Sequence, residues 1–143
     1  FPGMPDSSEQ VVNSAAGLLT MHMYQIDLSK DDSAQNIYYA INYTRYPDSL
    51  DVEALSIDTF YTHSIKGMLA NLKSDLIEEK VVYIEGYEGR ELRVDFQKGL
   101  AMITERLVLA DNRYYLLMVV TENEKDRNLN IQRFFESFHL LPK

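Results

Sequence analysis

The second half of the chain constrains the fold most. Residues 76–120 read as four extended segments joined by turns too short to hold a crossover. In residues 90–96, Arg90, Leu92, Val94 and Phe96 fall on one side and Glu91, Arg93 and Asp95 on the other, the period of a strand. Residues 76–85, with Val81, Val82, Tyr83 and Ile84, form the preceding strand, and residues 100–109 the following one. Gly86-Tyr87-Glu88-Gly89, Gln97-Lys98-Gly99 and Ala110-Asp111-Asn112 supply turn chemistry, with Asn112 suited to the left-handed region. Residues 113–120 are the most apolar segment (Tyr-Tyr-Leu-Leu-Met-Val-Val after Arg113) and are expected at the centre of a sheet. Tight turns force antiparallel neighbours, because parallel pairs need long crossovers.

The first half adds two strands and a helix. Residues 18–27 alternate, with Leu19, Met21 and Met23 opposite Thr20, His22, Tyr24 and Ile26. After a polar loop, Ile37, Tyr39, Ile41 and Tyr43 face one way and Tyr38, Ala40 and Asn42 the other. The opening residues 1–13, broken by Pro2 and Pro5, are expected to be extended or irregular. Tyr61, Ile65, Met68, Leu69 and Leu72 make one apolar stripe of a helix over 55–72. Gly67 inside it is expected to let the helix lie close to the sheet. Ile131, Phe134, Phe135 and Phe138 mark a second helix over 126–137. The expectation is a single domain over 1–143: an α+β fold with an antiparallel sheet of about six strands flanked by helices.

Composition narrows the function classes. Acidic residues outnumber basic ones 22 to 14, so the chain carries −8, which argues against nucleic acid as a partner. There is no cysteine, which removes disulfides and thiolate metal sites. No run of 18 apolar residues occurs, so no transmembrane segment is expected. The first residue is Phe1 rather than Met, which fits a removed export signal and equally a trimmed boundary.

Chemistry-bearing motifs are sparse. His22, His63 and His139 share no metal-ligand spacing. Asp58 and His63 lie five apart on a helix and turn away from each other. Asp27, Asp31 and Asp32 share a loop, as calcium ligands do, without EF-hand spacing; a solvated loop is the expected reading. Adjacent Glu78 and Glu79 face opposite sides of a strand, and Glu85, Glu88 and Glu91 read as solubilising charges. Gly86-x-x-Gly89 joins strand to strand and cannot cradle phosphate at a helix start. No Gly-x-Ser-x-Gly elbow is present. Asn42-Tyr43-Thr44 matches a glycosylation acceptor but sits inside a strand. No catalytic set, metal site or cofactor is expected.

The ten tyrosines are the unusual feature. Pairs such as Tyr38-Tyr39 and Tyr114-Tyr115 put one ring on each face of a strand, as core with a hydrogen-bonded tip. Exposed rings would instead suit a binding surface, and Tyr46 and Tyr87 are the residues named for one.

Taken in order, several segments resemble a known group. They are Phe1-Pro2-Gly3 with Pro5, residues 39–47 (Tyr-Ala-Ile-Asn-Tyr-Thr-Arg-Tyr-Pro), and Leu69-Ala70-Asn71-Leu72. Residues 86–92 (Gly-Tyr-Glu-Gly-Arg-Glu-Leu), Asn112-Arg113-Tyr114-Tyr115-Leu116 and residues 133–138 (Arg-Phe-Phe-Glu-Ser-Phe) complete them. Together they resemble uncharacterised, usually exported bacterial domains with a PsbP-like fold. Glu88 departs from that pattern, which often has Pro before the second turn glycine. The resemblance implies an α/β/α sandwich and a non-catalytic binding or assembly module of the bacterial cell envelope that docks to another protein. The alternative is a small-ligand-binding protein or enzyme with a pocket between helix and sheet.

Overall fold

The computed structural model describes residues 3–14, 17–31, 34, 36–47, 56–122, 125 and 128–140. Three strands come first: β1 (Asp6–Ser14), β2 (Gly17–Asp27) and β3 (Asn36–Arg45). The helix α1 (Ile57–Leu72) follows, then β4 (Asp75–Ile84), β5 (Tyr87–Phe96), β6 (Ala101–Ala110), β7 (Arg113–Thr121) and the helix α2 (Leu129–Glu136). All strands join one sheet in the order β1-β2-β3-β7-β6-β5-β4, antiparallel throughout. The chain leaves the sheet after β3, returns after α1 at the far edge, and works back by hairpins until β7 meets β3.

The sheet has seven strands rather than about six. The extra one is β1, in the segment expected to be irregular, where nine residues pair in register with β2 from Asp6↔Gln25 to Ser14↔Gly17. Its own side chains carry little alternation; the ladder to β2 extends it. The apolar strand β7 is fourth of the seven, as its composition requires.

Two cores lie on opposite faces, one helix over each, and each helix covers only part of the sheet. Under α1 are Leu92 and Val94 of β5, Ile103, Leu107 and Leu109 of β6, and Tyr114, Leu116, Met118 and Val120 of β7. Tyr61 and Ile65 are the buried helix residues there, with Met68, Leu69 and Leu72 alongside, so the stripe read from the sequence is the one that packs. The other face carries Tyr39, Val108, Tyr115, Leu117 and Val119 beneath Ile131, Phe134 and Phe135 of α2. The tyrosine pairs split across the faces as expected.

Helix ends follow capping chemistry. The Ser56 hydroxyl accepts from the Thr59 N–H, so α1 starts after it rather than at 55. At the other end Lys73 takes a left-handed conformation and the Ser74 N–H donates to the Leu69 carbonyl. The side chain of Asn128 accepts from Asn130 and Ile131 N–H groups and starts α2; residues 126 and 127 of the expected helix lie outside the described residues. Asn128 also bonds Asn36, which is buried at the start of β3 and donates to the Tyr39 hydroxyl at 2.6 Å. This amide pair ties α2 to the sheet.

The turns differ in detail from the expectation. The β4–β5 hairpin turns on Glu85 and Gly86, both at positive φ (49° and 89°), so the strand has resumed by Tyr87. Gly89 is therefore a strand residue, and its need is space: a Cβ there would clash with the Leu107 carbonyl oxygen. Between β6 and β7 it is Asp111, not Asn112, that takes positive φ. Asn112 instead donates its amide to the Tyr46 carbonyl and accepts from the Tyr46 N–H. Gly67 does not mediate a close approach, since nothing lies within 4 Å of a Cβ built there and the residue faces solvent. We therefore expect Gly67→Ala to raise the unfolding free energy by about 1 kcal/mol. Urea unfolding checks this; a destabilised variant would contradict the open site.

Candidate functional site

Residue by residue, the sequence candidates scatter. Tyr46 packs against the α1-side core, its ring edge-on to Phe60 at 6.3 Å. Tyr87 packs against the α2-side core and donates its hydroxyl to Asp111 at 3.0 Å. Both are partly buried and they lie on opposite faces, so the fold does not bring them together. Asp27 accepts from the Ser29 N–H in a local turn, and that side-chain and backbone bonding holds its pKa below the usual value. Asp32 lies outside the described residues, and among those described no cluster has the makings of a metal site. His22 stacks on Tyr43 and lies 3.2 Å from Glu9. His139 lies 2.9 Å from Glu85, whose carboxylate also accepts from the Leu140 N–H; both bonds lower the Glu85 pKa.

The glutamates read as solubilising are in fact engaged. Glu91 sits between Lys80 (2.9 Å) and Arg106 (2.7 Å) on the α2 face. Burial pushes its pKa up, but the two hydrogen bonds outweigh that and the net shift is downward. Glu88 belongs to a cluster around Arg90, a guanidinium only 6% exposed that meets Asp58 at 2.5 Å, Glu88 at 3.0 Å and Glu79 at 3.5 Å. Arg90 also lies over the Tyr61 ring, 4.8 Å from its centroid. The helix thereby docks to β5 through charge as well as apolar contact.

Tyr61 closes a gap in the sheet. Its hydroxyl donates to the Glu88 carbonyl at 2.7 Å and accepts from the Leu109 N–H at 2.8 Å. The β5–β6 register runs from Phe96↔Ala101 to Gly89↔Val108, so these two groups sit at the next rung. A side chain stands in for the ladder bond, leaving neither backbone group unpaired.

The α1 face holds a cleft of about 510 Å³ beside the helix. Tyr46, Phe60 and Tyr114 form its aromatic walls; Ser56, Thr59, Ser64 and His63 of the helix side add polar groups. The Tyr114 hydroxyl is hydrogen-bonded to Ser64, and burial drives its pKa well above the usual tyrosine value. On the same face of the sheet, four residues along β6 from the Leu109↔Tyr114 pair, Glu105 lies opposite Leu92 and Met118. It is fully buried, neither carboxyl oxygen has a hydrogen-bond partner among the described residues, and burial pushes its pKa up to about 8. Sequence reasoning did not single it out. The signal was available: Glu105 falls in phase with Ile103, Leu107 and Leu109, so alternation places a carboxyl among inward apolar residues.

A second groove of about 420 Å³ lies under α2, where Lys80, Glu91 and Arg106 alternate across the strands. Its charges are matched to one another, with Arg106 lying over Phe135 at 4.9 Å. No helix among the described residues is long and apolar enough to cross a membrane.

This architecture, an antiparallel sheet with one helix on each face, is a PsbP-like α+β fold. The chain is similar in structure to cyanobacterial PsbP (CyanoP) from Synechocystis sp. PCC 6803, with a TM-score of 0.51 and 14% identity over 94% of this chain and 93% of that one. It is also similar to PA94, a protein of unknown function from Pseudomonas aeruginosa, with a TM-score of 0.55 and 10% identity over 94% and 99% of the two chains. At these identities the likeness is one of fold. No protein-family model matches the sequence, and none of the curated proteins does.

Proposed function

We propose that the chain is a non-catalytic docking module of the bacterial cell envelope that binds another protein along the outer edge of β4. The observation that carries this reading is the state of that edge. β4 is the last strand of the sheet, and Ile77, Val81 and Tyr83 are 51%, 52% and 70% exposed. Leu76 is exposed as well. Edge strands are normally blunted by charge, proline or irregularity, because their free N–H and C=O groups template another strand. A shift of register between Leu76 and Glu78 interrupts β4 once; beyond it, Lys80 to Ile84 pair regularly with β5. An extended segment of a partner would add main-chain hydrogen bonds there and cover Val81 and Tyr83. The buried charges support a structural reading, since Arg90 and Glu91 are spent on partners within the chain. The envelope location rests on the sequence resemblance.

A photo-crosslinking amino acid at position 83 tests this in the native host, with position 66 on the solvent side of α1 as the control. One dominant adduct from position 83 is expected. Val81→Lys should abolish it while changing stability by no more than about 0.5 kcal/mol, as surface changes do. Equal labelling from both positions would sink the docking edge, and recovery of the chain in the cytosolic fraction would sink the envelope assignment.

A second reading is favoured by the cleft beside α1, whose volume suits a small molecule and whose aromatic walls and few polar groups match the usual make-up of ligand sites.

A further inference from the structure

We propose that the groove under α2 is a binding site for a small organic carboxylate, held end-on by the Arg106 guanidinium beside the Thr104 hydroxyl. This groove lies on the opposite face of the sheet from the α1 cleft and shares no lining residue with it.

Three strands and one helix build the site. Two rows of side chains cross the sheet: Lys80 of β4 opposite Glu91 of β5 opposite Arg106 of β6, and Glu78 opposite Arg93 opposite Thr104. Directly opposed residues share a face, and within β5 and β6 the rows stand two residues apart, so both rows point under α2. There Ile131, Gln132 and Phe135 line the other side of a cavity of about 420 Å³.

The way Glu91 is used leaves one edge of Arg106 open. Glu91 places Oε1 on the Arg106 Nε at 2.7 Å and Oε2 on the Lys80 Nζ at 2.9 Å, so each of its oxygens is engaged. Arg106 gives it only Nε; among the described residues Nη1 and Nη2 of Arg106 make no hydrogen bond. A guanidinium is a planar fork whose two Nη groups match the two oxygens of a carboxylate. Glu91 on Nε and the Phe135 ring 4.9 Å from Cζ already hold that plane in place, so little freedom is lost when an anion docks. Thr104 lies two residues before Arg106 on the same face. It is buried, it lines the groove, and its hydroxyl is not bonded to any described residue, so it can donate to the same anion.

Charge selects the ligand. Lys80, Arg93 and Arg106 line the groove against two carboxylates, Glu78 and Glu91, an excess of one positive charge in a chain that carries −8. Arg93 lies 3.7 Å from Glu78 and stands diagonal to Arg106 across the β5–β6 pair. Two guanidinium groups in that relation repel, and an anion between them relieves the repulsion. A monoanion balances the excess, whereas a phosphate dianion would overshoot it. Ile131 and Phe135 beside the charges offer apolar surface to a carbon body.

Calorimetric titration tests this with three probes of one shape, an anion, a neutral amide and a cation: benzoate, benzamide and benzamidine. Benzoate should bind about tenfold more tightly than benzamide, the difference between a charge-assisted pair and a neutral one, with benzamidine weakest. Phenyl phosphate, a dianion, should bind no more tightly than benzoate. Arg106→Lys keeps the charge but not the fork and should remove most of the preference for benzoate. Amide NMR locates the ligand on the unaltered chain, with no variant needed. Benzoate should shift the resonances of Thr104, Arg106 and Gln132 and leave Phe60 and His63 unmoved. Equal binding of benzoate and benzamide, binding by none of the probes, or shifts confined to the α1 face would each overturn the proposal. Tighter binding of phenyl phosphate would overturn the carboxylate in favour of a phosphoryl group. A benzoate preference undiminished in Arg106→Lys would overturn the end-on fork.

Discussion

Glu105→Met should stabilise the chain by about 2–4 kcal/mol at pH 7, an unusual outcome for a substitution at a fully buried position. The reason is that the native state holds a carboxyl away from water with neither oxygen bonded, its pKa raised from 4.5 to about 8 by burial. Below pH 4.5 both folded and unfolded chains hold the proton, and the group's contribution does not vary. Between 4.5 and about 8 the folded chain keeps the proton and the unfolded chain has lost it. Stability therefore falls as pH rises through that window, by up to about 1.4 kcal/mol per pH unit and about 5 kcal/mol in total. Above it the curve levels. The lowered carboxylates Asp27, Glu85 and Glu91 act with the opposite sign, adding stability above their unfolded values that is lost on acidification. Tyr38, Tyr46, Tyr61 and Tyr114, all raised by burial, act only in alkali above the window. Urea unfolding from pH 5 to 9 is the measurement. The unaltered chain should lose stability steadily, whereas Glu105→Met and Glu105→Gln should run nearly flat. Parallel curves for all three would mean that Glu105 does not set the slope.

Tyr61→Ala should cost about 4 kcal/mol, the loss typical of a large aromatic removed from a core. Tyr61 is fully buried, packs against Phe60 at 5.5 Å and lies under the Arg90 guanidinium. Tyr61→Phe separates the hydroxyl from the ring. It leaves the Leu109 N–H and the Glu88 carbonyl without their bridge, and a buried unpaired group costs about 1–3 kcal/mol. Urea midpoints at constant slope should show both losses, with Tyr61→Phe the smaller. A Tyr61→Phe variant as stable as the unaltered chain would show that the β5–β6 rung closes without the side chain.

What was legible in the sequence was legible for local reasons. Period-2 alternation with short turns fixes antiparallel hairpins, because two or three residues cannot reverse the chain and then cross a sheet. The Tyr61–Ile65–Leu69 stripe and the Ile131–Phe134–Phe135 face need no partner to be recognised, and both point at the sheet as read. The aliphatic run in β7 marks the centre because a strand covered on both faces has no side free for polar groups. β1 escaped because an edge strand is held by main-chain bonds to one neighbour, and the side chains of residues 6–11 are all exposed, so burial imposes no pattern on them. The stop of α1 at Leu72 was read from the end of its apolar stripe, although Lys73, not glycine, takes the left-handed cap.

The candidate site was less legible, and one physical difference accounts for it. Sequence by itself determined the class of fold, the helices and their buried faces, the central strand, and the exclusion of thiol chemistry. All of these depend on residues near one another in the chain, or on which residues are present. It took the assembled fold to make Tyr46 and Phe60 meet Tyr114 in one cleft, to bury Glu105 on the α1 face of the sheet opposite Leu92 and Met118, and to gather Asp58, Glu79 and Glu88 around Arg90. The assembled fold also ends the sheet at β4 with Val81 and Tyr83 uncovered. Those are contacts across strands and layers. A carboxyl's cost and a ring's reach depend on what surrounds them, and in this chain the surroundings come from segments many residues away.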